Sequence, residues 1–294
     1  MKTSIIDFTE AYNYYKNGNS ITKTESVFKK RRCSLKKEWL KLGYEYPLFQ
    51  RKGGYSTNCP AKLNFDLNVN FFKNIDTETK AYFLGLIAAD GTIVESVSKS
   101  KKNTKKYFAL SFKKSDEDIL HYFKKCINSY SDVKYSYKLP FLGKNNNIYT
   151  PELQSYFRVY RKDFINNLLN KGIVPNKTKI GIVLPDLPDD LIPHFIRGYF
   201  DGDGCIGIYP YKHNDKFNTI CYICSNTLEI LNSFFNYLKN RNIDCFIIHS
   251  KQGMYYLRIR RKSILEFWNI IKPKDDYNAS LKRKFEKFKF LQEL

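Results

Sequence analysis

Two aspartates, Asp90 and Asp203, close two copies of one apolar segment. The first copy reads Phe83-Leu84-Gly85-Leu86-Ile87-Ala88-Ala89-Asp90-Gly91, and the second Ile196-Arg197-Gly198-Tyr199-Phe200-Asp201-Gly202-Asp203-Gly204. Gly85 to Gly198 and Asp90 to Asp203 are both 113 residues. A carboxylate at the end of a helix meets the negative pole of the helix dipole. If the two helices lie side by side, two such carboxylates emerge together and call for a cation. A hard divalent ion with oxygen ligands answers that need, magnesium above all. Carboxylates and magnesium on a basic protein imply phosphodiester hydrolysis. Glycine inside a helix costs about 1 kcal/mol relative to alanine. At the same place in both copies it predicts close approach of two backbones, along Gly85, Ala88 and Ala89 on one side and Gly198 and Gly202 on the other.

The charge of the chain narrows the partner. Among 294 residues, 50 Lys and Arg oppose 29 Asp and Glu, a net +21. Such an excess repels itself and points to a polyanion, nucleic acid first. An anionic membrane surface fits less well, because the basic residues are not gathered on one amphipathic helix. No apolar run is long enough to span a bilayer, and the N-terminus lacks a secretory pattern. A hydrophobic content of 43% excludes disorder as the main description. Seven scattered cysteines suit a reducing compartment. Cys221 and Cys224 fit alternation in a half-buried strand better than zinc. The expected location is the cytoplasm, or the host-cell cytoplasm for a phage-encoded chain.

The elements that must position the aspartates repeat as well. After each apolar segment the pattern runs strand, strand, helix, strand, strand, helix. In the first pass the strands lie near 92–98, 107–114, 133–139 and 155–161. The helices are 116–129, with Ser115 as cap, and 163–171, closed by Gly172. The second pass follows the Pro185/Pro188 linker. Its opening helix is expected over 189–200, its strands near 205–211, 218–225, 244–250 and 254–260, and its later helices over 227–241 and 263–271. A basic helix, 279–291, ends the chain. Upstream, 1–50 reads as three short helices, the third running from Leu35 to Leu42 with Ser34 as its cap. Residues 1–62 carry 13 basic and 5 acidic side chains, a net +8. This suggests a helix-turn-helix-like module, with a helical cap as the plainer alternative. Arg31, Arg32, Lys36 and Lys37 are its candidate DNA contacts. Domains are expected at 1–50, a linker at 51–76, a first half at 77–180 and a second at 181–294.

On these residues the chain resembles the LAGLIDADG homing endonucleases of the single-chain, two-motif kind, over about 77–291. The resemblance implies an α+β fold, a pseudo-twofold duplication of αββαββα units. It implies two antiparallel DNA-binding sheets, with the motif helices at the centre and a small N-terminal all-α module added here. Asp90 and Asp203 are then the metal-binding acids, with Ala89, Gly202 and Gly204 completing the metal set. Family members also use strand lysines to polarise water and phosphate. By position these are Lys251 in the second half and Lys113 and Lys138, or Lys134, in the first. Ala88 departs from the family's earlier acid, which the second copy keeps as Asp201. Arg197 replaces a small residue and is expected on the outer face of its helix. Asp201-Gly202-Asp203-Gly204 lacks the ligands of a calcium loop. Gly207-Ile208-Tyr209 and His213-Asn214 are too little for the GIY-YIG and HNH nucleases, and the chain ends do not suit an intact intein.

The expected function is site-specific, Mg²⁺-dependent cleavage of both strands of double-stranded DNA, with Mn²⁺ as a substitute, by a monomer that has no membrane partner. The alternative is a non-cleaving nucleic-acid binder, such as an intron RNA maturase or a transcriptional regulator. Strand parity sets the DNA face: Tyr256, Arg258 and Arg260 share one side of the last strand, and Leu257 and Ile259 the other. Arg258 and Arg260 are therefore expected to look out over DNA.

Overall fold

The computed structural model describes residues 5–17, 19, 21–44, 67–97, 104–137, 141–142, 148–149, 152–210 and 217–293. The chain divides into two units, Met1–Asp66 and Leu67–Leu294.

The first unit holds α1 (Ile5–Lys16), α2 (Ile21–Phe28) and α3 (Arg32–Lys41). Apolar residues four apart, Ala11 with Tyr15 and Leu35 with Trp39, give α1 and α3 one buried face each. Trp39 stacks on Tyr15 at 5.2 Å, and its indole N–H donates to the Phe8 carbonyl at 2.7 Å. Lys29, at φ 50°, turns the chain from α2 toward α3, and Gly43, at φ 73°, ends α3. The third helix begins earlier than expected, and Ser34 lies inside it rather than at its cap. The reason is Glu25, whose carboxylate accepts the Arg32 backbone N–H at 2.7 Å and so meets an orphan donor of the first turn.

In the second unit Leu67, Phe71, Phe72 and Ile75 lie in the main core. Of the expected linker, residues 67–76 therefore pack into the body. The first half continues with α4 (Glu78–Asp90), β1 (Thr92–Val97), β2 (Thr104–Lys113), α5 (Asp118–Cys126) and β3 (Lys134–Tyr137). A small hairpin of β4 (Phe141–Leu142) and β5 (Ile148–Tyr149) follows, then β6 (Leu153–Val159), α6 (Lys162–Asn170) and a single turn, α7 (Lys177–Ile180). The second half is α8 (Ile192–Asp203), β7 (Gly204–Pro210), β8 (Phe217–Ser225), α9 (Glu229–Lys239), β9 (Cys245–His249), β10 (Tyr255–Ile259), α10 (Ile264–Ile271) and α11 (Lys282–Glu293). The hairpin and α7 are too short to leave a periodic signal in the sequence. Ser115 sits in a 3-10 turn ahead of α5 instead of capping it. α8 starts at Ile192, with Pro193 in its first turn, where the missing N–H leaves no bond unmade.

Each half builds one antiparallel four-stranded sheet, in the order β1-β2-β6-β3 and β7-β8-β10-β9. The two orders are equivalent, so the duplication extends to topology. Alternation puts Phe108, Leu110, Phe112, Phe157 and Val159 beneath α5 and α6, with Phe123 and Phe164 meeting Phe108 edge-on or tilted. In the second sheet Cys221, Ile223, Leu257 and Ile259 take that place. The opposite faces are open: Tyr107, Tyr156 and Arg158 in one sheet, Tyr222, Tyr256 and Arg258 in the other. Leu257 and Ile259 are buried and Arg258 and Arg260 exposed, which fixes the register of β10 as its parity predicts. Among the described residues no helix is long and apolar enough to cross a membrane.

Candidate active site

The centre of the second unit is the pair α4 and α8. Their residue-by-residue neighbours show that they run parallel. Glu78 meets Arg197 near the N-terminal ends, Tyr82 lies against Gly198, and Ala89 against Gly202 near the C-terminal ends. The glycines set the spacing. A Cβ at Gly85 would fall 2.0 Å from the Phe195 carbonyl oxygen, and one at Gly198 would fall 1.9 Å from that of Tyr82. Both values lie well inside van der Waals contact, so only glycine lets the backbones touch. The pairing carries Asp90 and Asp203 to one end. Gly202 clears the way there, since a Cβ on it would stand 2.9 Å from the Asp90 carboxylate.

Both carboxyls are held above the ordinary carboxylate range. Burial first, and then the like charge of Asp203, push Asp90 up to about 6. Burial raises Asp203 as well, with Lys177 and Lys284 pulling the other way. Asp90 keeps a side open to water and Asp203 is half-buried, so solvent can reach the pair. A cavity of about 130 Å³ opens beside Asp203, lined by Lys177, Tyr199, Cys224 and Thr227 among others, and it has room for several waters. The Cys224 thiol touches the Asp203 carbonyl at 3.0 Å, while Cys221 faces the core on the other side of β8. The six described cysteines are free thiols.

Two lysines that sequence reasoning missed complete the end of the helix pair. Lys177, from α7, donates to the Ala89 carbonyl and is felt electrostatically by both aspartates. Lys284, from α11, is buried and donates to the carbonyls of Phe200, Asp201 and Gly204 at 2.6–2.7 Å. Burial lowers the pKa of both ammonium groups, and the neighbouring acids oppose that shift. Each lysine meets the negative end of one motif helix, where unpaired carbonyls attract a cation. In a chain with 50 basic residues neither stood out, because only the fold carries them back to the motif ends.

Lys113 pairs with Glu152 at 3.0 Å. Lys251 is exposed in the turn between β9 and β10, and Lys134 is exposed on β3. Lys138 lies outside the described residues. Lys177 and Lys284 act electrostatically on both Asp90 and Asp203, and Arg283 acts on Asp90 as well. Of the expected backbone contributors, the Ala89 and Gly204 carbonyls each already accept from a lysine, and Gly202 serves the helix contact. Arg260 lies across the Phe246 ring and pairs with Asp244 at 3.3 Å, whereas Arg258 makes no ion pair among the described residues. In the first unit Arg31, Lys36 and Lys37 are exposed, and Arg32 is drawn onto Glu25 at 3.1 Å.

Arg197 corrects the expectation of an outer-face position. It is 1% exposed and sits at the centre of a network. It donates to Glu78, to the Ile271 and Ala279 carbonyls, and lies 2.6 Å from a His194 ring nitrogen. Burying a guanidinium is tolerable only with that many partners. Asp201 is equally enclosed, accepting from the Tyr82 hydroxyl at 2.9 Å and the Leu281 N–H at 2.8 Å.

The donor set suits a hard cation. Two carboxylates, both pressed above their usual range, gain by sharing one. Among the described residues no group of three or more His, Cys, Asp or Glu side chains is placed to hold a metal ion. Asp90 and Asp203 would therefore hold such an ion with the help of oxygens from water or a phosphate.

No protein-family model matches the sequence, and no curated protein sequence matches it. Solved structures are similar over about 70% or more of this chain. The meganuclease I-SmaMI bound to uncleaveable DNA is 15% identical, with a TM-score of 0.49 over 72% of this chain and 91% of that one. The LAGLIDADG meganuclease I-AabMI bound to uncleaved DNA is 14% identical, with a TM-score of 0.47 over 74% and 90%. I-DmoI in complex with DNA and Mn is 16% identical, with a TM-score of 0.45 over 70% and 99%. Of these similar structures, I-SmaMI is a LAGLIDADG homing endonuclease, I-AabMI a LAGLIDADG meganuclease and I-DmoI a homing endonuclease.

Proposed function

We propose that this protein is a site-specific DNA endonuclease that hydrolyses both strands of a long duplex target with divalent metal, Mg²⁺ or Mn²⁺. The observation that carries the proposal is the pairing of Asp90 with Asp203 at the solvent-open end of two parallel, glycine-packed helices, in a protein of net charge +21. Both motif helices belong to one chain, which suits a monomer.

Asp90 and Asp203 hold the metal, which when bound supplies Lewis acidity and an acidified water. Lys177 and Lys284 have different parts. Lys284 directs its donors at three backbone carbonyls and contributes positive field alone. Lys177 has one carbonyl partner and lines the cavity beside Asp203, so it has N–H groups left to orient a water or meet a phosphate oxygen. Tyr199, also at the cavity, orients the Asp203 carboxylate. Fixed charges of this kind stabilise a phosphorane-like transition state without reorganising.

The first unit is proposed as an accessory DNA-binding module, with Arg31, Lys36 and Lys37 on phosphates. Replacing these three should flatten the salt dependence of binding by roughly one unit of slope for each phosphate no longer neutralised. The central test is plasmid cleavage with Mg²⁺ on DNA that carries the genomic flanks of the gene. Linear product from the native protein, and none from Asp90→Asn, supports the proposal. Tight, specific binding without nicking in any divalent metal would replace it with a non-cleaving binder.

A further inference from the structure

The two open sheet faces carry one arginine each at the same structural place. Tyr156-Phe157-Arg158-Val159 on β6 corresponds to Tyr256-Leu257-Arg258-Ile259 on β10, and both strands are third in their sheets. In each, the central apolar residue and the last one are buried while the arginine is exposed. Arg158 is held on its open face by aromatic rings. Its guanidinium lies 4.7 Å from the Tyr156 ring and 5.1 Å from that of Tyr107, and it donates to the Tyr160 hydroxyl. Neither arginine makes an ion pair among the described residues, unlike Arg260 on Asp244. Arg258 is flanked across the strands by Tyr222 and Phe246.

A guanidinium that lies over rings, with one hydrogen bond to Tyr160, still has N–H groups left on its edge, and the edge is the part that forms paired hydrogen bonds. Ordering that side chain in advance removes much of the entropy a flexible reader loses on binding. On a duplex, the base that offers two acceptors to such a fork in the major groove is guanine. We infer that Arg158 and Arg258 are specificity-determining residues, each reading a guanine, at positions related by the pseudo-twofold in the two half-sites. This rests on the proposed recognition of DNA. Arg158 is the stricter reader, because its ring contacts fix it before binding.

The test is selection of the full-length protein on a pool of randomised duplex DNA, with chelator present so that cleavage does not deplete the pool. The native protein should enrich a site with a guanine at mirrored positions in its two halves. Arg158→Ala and Arg158→Lys should each lose about 5- to 150-fold of discrimination at one of those positions and keep the rest of the site. Arg258→Lys should lose less, at the mirrored position. The lysine variants keep the charge but not the fork, so a phosphate contact would survive them. Discrimination unchanged in Arg158→Lys would overturn the inference, as would equal weakening on all sequences in Arg158→Ala. If the native protein enriches no sequence at all, the recognition of DNA fails first and this inference with it. Tyr107→Leu with Tyr156→Leu, which leaves the arginine in place, should blunt the guanine preference, and a preference left intact would overturn the role given to the rings.

Discussion

The two ends of the central helix pair handle charge in opposite ways. At the N-terminal ends, Glu78, His194 and Arg197 are buried and satisfied within the protein. Glu78 accepts from Arg197 and from the backbone N–H groups of Lys274 and Asp275, and Arg197 reaches two carbonyls besides. At the C-terminal ends, two carboxylates stand together with lysines that are already engaged by backbone oxygen, and solvent reaches them. The first arrangement closes on itself and ties the halves together. The second is left incomplete, and that is what makes it a candidate for chemistry. A buried polar cluster is structural when every group has its partner; it becomes a site when the missing partner is a cation or a substrate.

This contrast can be broken most sharply at the open end. Asp90→Asn or Asp203→Asn is expected to lower double-strand cleavage by about a thousandfold or more, with binding to the same duplex largely kept. Plasmid linearisation beside a mobility-shift titration measures both. Full cutting by either variant would remove that aspartate from the metal set. In the same variants, Mg²⁺ should lose its stabilising effect on thermal unfolding, because an ion bound only by the native state raises its stability.

At the closed end the same kind of change should act on folding. Glu78→Leu strands the Arg197 guanidinium and should destabilise by about 3–5 kcal/mol in urea unfolding. Adding Arg197→Met should recover much of that loss, since a matched apolar pair leaves no charge uncompensated. If the double variant were no more stable than the single one, the network would owe its place to the carbonyls of Ile271 and Ala279 rather than to the ion pair.

Between the ends, Gly198→Ala should cost about 3 kcal/mol, because its methyl would meet the Tyr82 carbonyl and backbone cannot yield as a side chain does. Gly172→Ala, with open space around its Cβ, meets only the strain of φ 82° and should cost about 1 kcal/mol. Equal losses for the two would argue against close contact between α4 and α8.

A pH dependence follows from the closed end as well. Burial, then the neighbouring Arg197 charge, hold His194 down to about 4, against 6.5 for a free histidine. The unfolded chain therefore takes up a proton below 6.5 that the native protein refuses until about 4. Stability is unaffected above 6.5 and falls as pH drops through that window, by roughly 2 kcal/mol at pH 5. His194→Gln should remove this part of the acid sensitivity, seen as a flatter plot of unfolding free energy against pH. An unchanged slope would mean that His194 is already charged in the native network.

The sequence alone carried the duplication, the paired aspartates and the parity of the last strand. Each of these is a local or periodic signal: a glycine fixed in a helix, a carboxylate at its end, an apolar residue at every second place. Such signals were enough to place Asp90, Asp203, Leu257, Ile259 and Arg258 on a face or at an end. They were not enough for Lys177, Lys284, Arg158 and the inward turn of Arg197. A lysine 87 residues beyond Asp90, or 81 beyond Asp203, has no periodicity linking it to the motif. Its place follows from how α7 and α11 return to the helix ends. The same holds for Arg197, whose burial depends on Glu78 and two carbonyls from distant segments. A side chain's neighbours along the chain determine its face; which charges and carbonyls it meets across the fold is decided only when the halves are packed together.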